Sequence, residues 1–479
     1  MSVKDYEMVI GLEIHTELKT DTKIFCGCST EFGAEPNTHI CPVCLGMPGT
    51  LPVLNKKVVE LAIKAGIATD CSITENSKQD RKNYFYPDLP KAYQISQYDL
   101  PLCRDGKVEI IDDSGSPKQI RIERIHIEED AGKLLHDVDG GSLIDLNRCG
   151  VPLIEIVSRP DMSSAGEASS YARKLRSILI YAGASDCKMN QGQMRFDVNL
   201  SVRKKGEKEL GTRTETKNIN SFIYMEKAIS YEFKRQVALL EKGERVIQET
   251  RRYDNKKNMT FSMRSKEDAQ DYRYFPDPDL AAIYTSPETI RSYKDSMPTL
   301  PDKRKKIYMD KYGITGYDAE VIAADKDIAN YFEEVLSCEA DAKQAVNLIT
   351  GEIFSLAKKE DDGSIKIKAQ DLADISIFLK ENDISSSIAK KIISMLWNGD
   401  ERNVKTIIEQ EDMKQITDET LLKEIVRQTI AANQKAADDY KNGKQKALLS
   451  LMGQIMKTTG GKANPEITKK LLMEAIKEN

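Results

Sequence analysis

The sequence predicts an α+β protein, in which a mixed or antiparallel sheet domain is followed by two all-α domains. Up to residue 292, short runs that alternate apolar and polar residues end at Gly, Pro and Asp, which is typical of strands and turns. From residue 293 to the end, apolar residues recur with helical spacing. Trp397 and the Asn-Gly-Asp turn signal after it indicate a joint in the helical part. We therefore expect domains at 1–292, 293–405 and 406–479.

Composition is typical of a water-soluble protein with a large core, since 40% of the 479 residues are hydrophobic and 31% are charged. The chain has no long apolar run, and its first residues lack the pattern of a signal peptide, so we expect a cytoplasmic protein without membrane contact. A net charge of −5 argues against a general polyanion binder, and we expect no contact with DNA. Any contact with nucleic acid must be local.

Three strand-like runs each place polar side chains on one face and apolar side chains on the other. Carboxylates and one imidazole, with cations beside them, suit Mg²⁺ and the phosphates of ATP. The alternative is that these polar faces are merely solvated. The polar residues are Glu13 and His15 in VIGLEIH, Arg195, Asp197 and Asn199 in RFDVNLSV, and Arg213, Glu215 and Lys217 in RTETKN.

Four cysteines between residues 26 and 44 have the paired spacing of a structural zinc site. Cys26 and Cys28 form a C-x-C pair, and Cys41 and Cys44 form a C-x₂-C pair. His39 is a possible substitute ligand, and free thiols are the alternative to zinc. We expect the five scattered cysteines to be packing residues.

The stretch 80–97 combines aromatic rings and cations without an apolar period, so we predict a loop that forms a site. Flat rings suit a stacked base or sugar, and cations suit phosphate, which indicates binding of a nucleotide or an RNA end. The rings are Tyr84, Phe85, Tyr86 and Tyr93, and the cations are Arg81, Lys82 and Lys91.

The apolar positions within 120–127 change phase once, which predicts a bulge near Glu123 and Arg124. The register after the bulge is left open by this argument. Either Glu128 or Glu129 therefore points toward the polar face.

Helical spacing predicts helices at 165–182, 222–243 and 465–477, the last with Asn464 as N-cap and Pro465 at its first position. Lysines surround the segment before this last helix, and the simplest reading of them is a solvated face. They are Lys441, Lys444, Lys446, Lys457 and Lys462.

Five motifs resemble the family that forms the B subunit of the aspartyl/glutamyl-tRNA amidotransferase. They are VIGLEIHTELKT from Val9, DRKNYFYPDLPKAYQISQ from Asp80, HIEEDAGK from His126, LIDLNRCGVPLIEIVSRPD from Leu143, and DYRYFPDPDL from Asp271. The resemblance implies a catalytic domain similar to glutamine synthetase. It also implies a carbon–nitrogen ligase with glutamine as amido donor, in which ATP phosphorylates the side-chain carboxylate of Glu-tRNA(Gln) or Asp-tRNA(Asn) and ammonia then forms the amide.

The resemblance also implies ligands and partners. Magnesium would bind Glu13, His15, Glu129 and Glu215, and zinc would bind the four cysteines. For ATP and RNA we name Arg81, Lys82, Tyr84, Tyr86, Lys91, Glu128, Arg195 and Lys217. The partners would be an amidase, which is the A subunit, together with the small C subunit. Mischarged tRNA would be the substrate, with the lysine-rich tail on the tRNA body.

The chain itself limits these inferences in three ways. It contains neither a Walker A motif nor an amidase signature, so ATP is held without a P-loop and ammonia comes from a partner. Met189–Gly192 stands where many members of the family carry acidic residues, which weakens any role for Asn190 or Gln191. Two rival functions stay open, a metal-dependent kinase or ligase for a small carboxylate and a non-catalytic tRNA scaffold, as does the choice between the two tRNAs.

Overall fold

The computed structural model describes residues 3–138, 140–265, 272–360, 364–416 and 418–478. The chain forms two compact units, Met1–Leu300 and Pro301–Asn479. The first unit contains the sheets and the second is helical, so the α+β prediction is confirmed. Among the described residues, no helix is both long and apolar enough to cross a membrane.

The strands lie in the first unit. They are β1 (Tyr6–Glu17), β2 (Ser72–Ile73), β3 (Asn76–Ser77), β4 (Asp80–Asn83), β5 (Tyr93–Ser96), β6 (Cys103–Ile111), β7 (Pro117–Glu129), β8 (Lys133–Val138), β9 (Gly141–Asp145), β10 (Pro152–Ser158), β11 (Met194–Lys204), β12 (Thr214–Ile219), β13 (Glu249–Asp254), β14 (Met259–Ser265), β15 (Phe275–Pro276) and β16 (Ile283–Tyr284).

Four helices belong to the first unit and the others to the second, within the described residues. They are α1 (Lys56–Ala68), α2 (Ala165–Tyr181), α3 (Phe222–Glu241), α4 (Pro287–Asp295), α5 (Pro301–Tyr312), α6 (Gly316–Ala324), α7 (Lys326–Ser337), α8 (Ala342–Leu348), α9 (Phe354–Ala357), α10 (Ala369–Lys380), α11 (Ser386–Trp397), α12 (Val404–Gln410), α13 (Glu419–Ala432), α14 (Gln434–Lys441), α15 (Gln445–Thr458) and α16 (Pro465–Glu478).

A nine-stranded sheet organises the first unit, in the order β14-β13-β12-β11-β1-β10-β7-β6-β2. Its pairs are antiparallel except β12 with β13, which makes the sheet mixed. β1 lies at the centre and pairs with β10 on one side and β11 on the other. The polar faces of these strands therefore lie side by side.

One face of this sheet is the core and the other carries the polar side chains. Leu12 and Ile14 of β1 are fully buried, as are Ile154 and Ile156 of β10. Helices α1, α2 and α3 contribute residues to the same core. Because side chains alternate along a strand, the residues between these positions face the opposite side. That side is the candidate site.

The local predictions for helices and for the bulge are confirmed. α2 and α3 occupy the segments predicted at 165–182 and 222–243. The side chain of Asn464 accepts hydrogen bonds at 3.0 Å from the amides of Glu466 and Ile467 at the start of α16. The pairing of β7 with β10 shifts register between Ile122 and Arg124, which leaves Glu123 as the bulged residue.

The prediction that 80–97 is a loop throughout is wrong at both ends. β4 and β5 pair with each other, and β15 pairs with β4. Polar side chains within these short strands have partners, which makes their burial possible: the Nε2 of Gln94 donates to the carbonyl of Glu129 at 2.7 Å, and the hydroxyl of Ser96 donates to Glu128 at 2.6 Å. The middle of the stretch remains irregular.

The second unit is all α, and α13–α16 share one hydrophobic core that includes Leu422, Leu451 and Leu472. α12 packs against α10, and the predicted boundary between residues 405 and 406 falls inside α12. The division of the helical part into two domains stays a prediction. Asp271, the first residue of the fifth motif, lies outside the described residues.

Candidate functional site

Two groups of titratable side chains share the polar face of the central strands. His15 of β1, Glu128 of β7 and Glu155 of β10 form the first group, with ligand atoms within 4.8 Å of one another. His15 and Glu155 are directly opposite in neighbouring strands, and the Nε2 of His15 lies 3.5 Å from the carboxylate of Glu155. We call these three residues the histidine cluster.

A second histidine supports this group. The Nε2 of His126 lies 3.2 Å from the carboxylate of Glu128 and 3.4 Å from that of Glu155. Burial disfavours the charge of Glu155, but His126 and His15 hold the pKa of this carboxyl well below its usual range. The same carboxylates outweigh the effect of burial and raise the pKa of His126 to about 9. The two imidazoles therefore hold the carboxylate of Glu155 in its ionised form.

The second group consists of Glu13 of β1, Asp197 of β11 and Glu215 of β12, again with ligand atoms within 4.8 Å of one another. We call it the carboxylate cluster. The ammonium of Lys217 lies 3.0 Å from Asp197 and 2.8 Å from Glu215. Burial, followed by the charges of Glu155 and Glu215, raises the pKa of Glu13. Three carboxylates this close are a site for a cation.

Glu129 does not join either group, so the expectation that it shares the polar face with Glu13 and His15 is wrong. After the bulge, Glu129 is in phase with Ile127, which is buried in the core. The carboxylate of Glu129 instead forms an ion pair with Lys91 and accepts a hydrogen bond from the amide of Ile95 at 2.9 Å. Glu128, the alternative left open by the sequence, takes the place on the polar face.

Two of the residues predicted as a site in the stretch 80–97, Lys82 and Tyr84, lie beside the histidine cluster. Burial opposes the charge of Lys82, but Glu128 and then other neighbours raise the pKa of its ammonium. That ammonium lies 5.9 Å from the ring centre of Tyr84 and 5.2 Å from that of Tyr272. A cation and two tyrosines therefore form one wall beside the cluster.

Three other predicted residues of that stretch lie elsewhere. Arg81 binds Asp277 at 2.6 Å and Asp279 at 3.2 Å. Lys91 pairs with Glu129 at a cavity of about 100 Å³ beside the cysteines. Tyr86 is 57% exposed. Arg81 and Lys91 are thus neutralised by carboxylates of the chain itself.

Arg195 faces the same side of the sheet as His15, its partner across β1 and β11. It donates to Asp130 at 2.9 Å, and this carboxylate, despite burial, raises the pKa of Arg195. Arg195 therefore borders the histidine cluster while being held by Asp130. Arg213 precedes β12 and is exposed, whereas Lys217 is part of the carboxylate cluster's surroundings.

Two family models together match most of this chain. Residues 8–291 match the model described as "GatB/GatE catalytic domain", and residues 330–476 match that described as "GatB domain". The chain belongs to the GatB/GatE family. The resemblance stated from the five motifs is thereby confirmed, and the two metal-ligand clusters lie within the segment matched by the GatB/GatE catalytic domain.

Curated relatives of this GatB/GatE-family chain match it along almost its whole length. The proteins from Caldicellulosiruptor saccharolyticus and from Thermoanaerobacter sp. strain X514 are each 53% identical to it, over 99% and 98% of the chain and 100% and 99% of the relative. The protein from Clostridium tetani is 49% identical over 98% of the chain and 99% of the relative. All three are named as the B subunit of the aspartyl/glutamyl-tRNA(Asn/Gln) amidotransferase.

The four cysteines of this GatB/GatE-family chain converge as their spacing predicts. The sulfur atoms of Cys26, Cys28, Cys41 and Cys44 lie within 4.8 Å of one another, and none forms a disulfide. A tetrahedral Zn²⁺ with bonds of about 2.3 Å requires its sulfurs to be about 3.8 Å apart, so the donor set fits this metal. His39 is not in the cluster formed by the described residues.

A hydrogen bond within the cysteine group also suits a metal site. The thiol of Cys26 bonds to the sulfur of Cys44, which lowers the pKa of Cys44 to about 4. The ammonium of Lys23, whose side chain is fully buried, lies 3.7 Å from the same sulfur. A preformed thiolate beside a buried cation is a favourable starting point for metal binding.

Three residues at the centre of the site were missed from the sequence as ligands or supports. Glu155 lies in PLIEIVS, an apolar run that is typical of a fully buried strand, and its signal was a carboxylate between two isoleucines. Asp197 was placed on the correct face but given no role. His126 opened a recognised motif, and its alternation with Glu128 was the available signal.

Proposed function

We propose that this protein is the subunit of a tRNA-dependent amidotransferase that activates the side-chain carboxylate of Glu-tRNA(Gln) or Asp-tRNA(Asn) with ATP. The observation that supports this best is the pair of clusters on one sheet face, with Lys82 and Lys217 beside them. Oxygen ligands next to lysines suit a magnesium-bound nucleotide. Family membership and the relatives' names point to the same chemistry.

We assign the metal ligands to His15, Glu128 and Glu155, and to Glu13, Asp197 and Glu215, so Glu128 replaces Glu129 in the expected set. The donors fit Mg²⁺, because five of the six are carboxylates and the sixth is a neutral nitrogen donor once its proton is lost. When bound, Mg²⁺ neutralises charge on the transferred phosphoryl group.

The remaining work of this face is done by the chain's own side chains. His126 fixes the carboxylates of Glu128 and Glu155 by hydrogen bonds. Lys82 and Lys217 are the cations that face phosphoryl oxygens, and Tyr84 with Tyr272 covers Lys82 from the side. These contacts hold a polyanionic nucleotide next to the carboxylate to be activated, which is positioning rather than covalent catalysis.

The proposed reaction has two steps. A side-chain carboxylate oxygen of the aminoacyl-tRNA attacks the γ-phosphorus of ATP, and the bond to ADP breaks, which gives an acyl phosphate. Ammonia then attacks the acyl carbon, phosphate leaves and one proton is lost, which gives the amide. Ammonia attacks a free carboxylate poorly because oxide is a poor leaving group, so activation must come first.

The partners in this proposal are a glutaminase, that is the amidase of the A subunit, which supplies ammonia, and the small C subunit. The relatives' designation as a B subunit supports the existence of further subunits. The four cysteines would hold a structural zinc ion, since four closed ligands leave no open position for chemistry. Residues 406–479 would hold the tRNA body through lysines, and the reaction would take place in the cytoplasm.

The test compares ATP hydrolysis by the assembled complex with and without mischarged tRNA. We expect hydrolysis to require Glu-tRNA(Gln) or Asp-tRNA(Asn), and we expect Glu155→Gln to abolish it while tRNA binding persists. Hydrolysis with free glutamate alone would instead favour a ligase for a small carboxylate. Binding of tRNA without any ATP hydrolysis would favour a scaffold. Amidation assays with each mischarged tRNA separately would identify the substrate.

A further inference from the structure

Three arginines line a cavity of about 280 Å³ in the first unit. They are Arg104 of β6, Arg124 of β7 and Arg159, the residue that follows β10. Tyr98 closes one side of the cavity. None of these four residues takes part in the proposed function.

Arg104 and Arg124 are directly opposite each other in neighbouring antiparallel strands. The Cβ atoms of such pairs lie about 5 Å apart, and like charges in this position destabilise a sheet. Arg159 adds a third guanidinium to the same cavity. Three guanidiniums at one cavity can donate several charge-assisted hydrogen bonds to a phosphate.

Three carboxylates also line this cavity, but each of them is at least 44% exposed, so solvent weakens their pairing with the arginines. Asp99 is bound by Lys78 at 2.7 Å. Asp105 is 70% exposed and lies 3.6 Å from Arg159, so solvent screens this pair. Glu123 accepts from Arg124 at 3.0 Å and is itself 44% exposed.

Arg104 also has hydrogen-bonding capacity to spare. Its Nη2 donates to the backbone carbonyl of Asp99. Its Nε is buried and has no hydrogen-bond partner among the described residues. A buried donor without a partner is costly, and a ligand oxygen gains this bond once the guanidinium shifts to expose its Nε.

The cavity lies on the same face of the sheet as the clusters. Along β7, Arg124 is followed on that face by His126 and Glu128. Across the sheet, Arg124 is paired with Val157, and Val157 is paired with Glu13. Neighbouring strands are about 4.8 Å apart, so roughly 10 Å separates the backbone of Arg124 from that of Glu13. A ligand with one end at the clusters can reach the arginines with a second group.

An aromatic pair stands beside this anion site. The ring of Tyr98 stacks on that of Tyr274 with 4.5 Å between centroids and 10° between planes, and Tyr98 is 64% exposed. The stacked pair is fixed on one side and leaves ring surface open to a ligand. A nucleobase stacks well on such a surface, and its phosphate would then lie near the arginines.

We propose that Arg104, Arg124 and Arg159 form a phosphate-binding subsite for a nucleotide, next to the clusters. The subsite deepens the proposed function and rests on it, because both the nucleotide cosubstrate and the single-stranded 3′ end of tRNA carry such phosphates. The guanidiniums bind phosphoryl oxygens, and Tyr98 stacks against the attached nucleoside.

The experiment measures equilibrium binding of two probes to the assembled complex, across a series of salt concentrations. One probe is Mg²⁺-ATP and the other is an aminoacylated minihelix with the single-stranded 3′ end of tRNA. The variants are Arg104→Gln, Arg124→Gln and Arg159→Gln. The control is Arg121→Gln, on the same strand as Arg124, because Arg121 binds Asp161 at 2.6 Å and does not line the cavity.

We expect each cavity variant to weaken the binding of one probe about tenfold. The salt dependence of that binding should correspond to about one released ion fewer, and the control should change neither quantity. The weakened probe identifies the source of the phosphate. We also expect Arg124→Gln without ligand to melt at the same or a higher temperature than wild type, because it removes repulsion. A purely structural arginine would give a lower melting temperature.

The outcomes separate the two proposals. If the wild type binds both probes and all three cavity variants bind them within twofold of the control, the subsite is wrong and the proposed function stands. If the wild type binds neither probe, the proposed function is wrong and the subsite with it. Arg159 is 41% exposed at the rim, so Arg159→Gln gives a decisive result even if the variants within the strands fail to fold.

Discussion

Two adjacent glutamates of β7 have different surroundings, and we predict that the same substitution has different effects on them. Glu128 belongs to the histidine cluster, whereas Glu129 forms a buried ion pair with Lys91 on the other side of the sheet. Replacement by glutamine keeps the size of each side chain and removes its charge. Glu128→Gln should therefore impair metal binding and turnover, and Glu129→Gln should impair stability.

The expected magnitudes follow from these contacts. Loss of a residue that only supports a metal ligand weakens binding about 10- to 100-fold, so loss of the ligand charge of Glu128 should cost at least about 100-fold, or about 2.7 kcal/mol. Its stability should fall as well, because the attraction of the buried Glu128 carboxylate to Lys82 and His126 outweighs the repulsion from Glu155. The loss of magnesium affinity is therefore the result that separates Glu128→Gln from Glu129→Gln.

For Glu129→Gln, removal of one partner from a buried pair costs roughly 3–5 kcal/mol. The side chains of Lys91 and Glu129 are 10% and 3% exposed, so solvent compensates little. The amide oxygen of glutamine still accepts from the amide of Ile95, which reduces the expected loss to about 2 kcal/mol. For a unit that spans Met1–Leu300, that loss corresponds to a decrease of about 3 °C in the melting temperature.

The assay is calorimetric titration of both variants and wild type with Mg²⁺ and a non-hydrolysable ATP analogue, followed by thermal melting of the same samples. Matched substitution at neighbouring positions makes each variant the control for the other. The assignment of the polar face is refuted if Glu129→Gln loses magnesium affinity while Glu128→Gln retains it.

Three further predictions concern the metal, the tail and the intermediate. Purified protein should contain about one zinc ion, and Cys41→Ser with Cys44→Ser should lose it together with thermal stability; elemental analysis that finds no zinc in the reduced wild type would contradict this. Changing Lys441, Lys446 and Lys457 to Gln, which removes exposed charges, should raise the KM for charged tRNA and leave kcat nearly unchanged, whereas a lower kcat at constant KM would place the tail in the chemical step. With ammonium chloride and an inactivated amidase partner, amidation should still require ATP, and equal amidation without ATP would exclude the activating role proposed here.

Alternation along single strands was enough to predict both faces of β1 and β11. The position of the bulge in β7 was also predictable, because apolar residues change phase there. The register after the bulge was left open, and the structure resolves it by placing Glu129 on the core side with Ile127. The family pattern names Glu129 by its position in the motif, and that position does not include the alternation that follows the bulge.

The order of strands in the sheet was not predictable from local patterns. Glu155 became part of the site only because β10 lies beside β1, and this pairing joins residues that are far apart in the chain. The stretch 80–97 was misjudged for a related reason. Its polar residues form strands since Gln94 and Ser96 find partners on β7, and those partners are not visible in the sequence of the stretch itself.

Lys217 gives the carboxylate cluster a cation of its own. Its ammonium touches Asp197 and Glu215, two of the three carboxylates. A free metal ion must share these oxygens with the ammonium of Lys217 or displace it. The ammonium therefore competes with a bare metal ion for the same carboxylates. A metal ion that arrives with polyphosphate brings anionic oxygens to which the ammonium can turn. Under the proposed function, the site would therefore bind the metal–nucleotide complex in preference to the metal alone, and magnesium affinity would be a property of the substrate as much as of the protein.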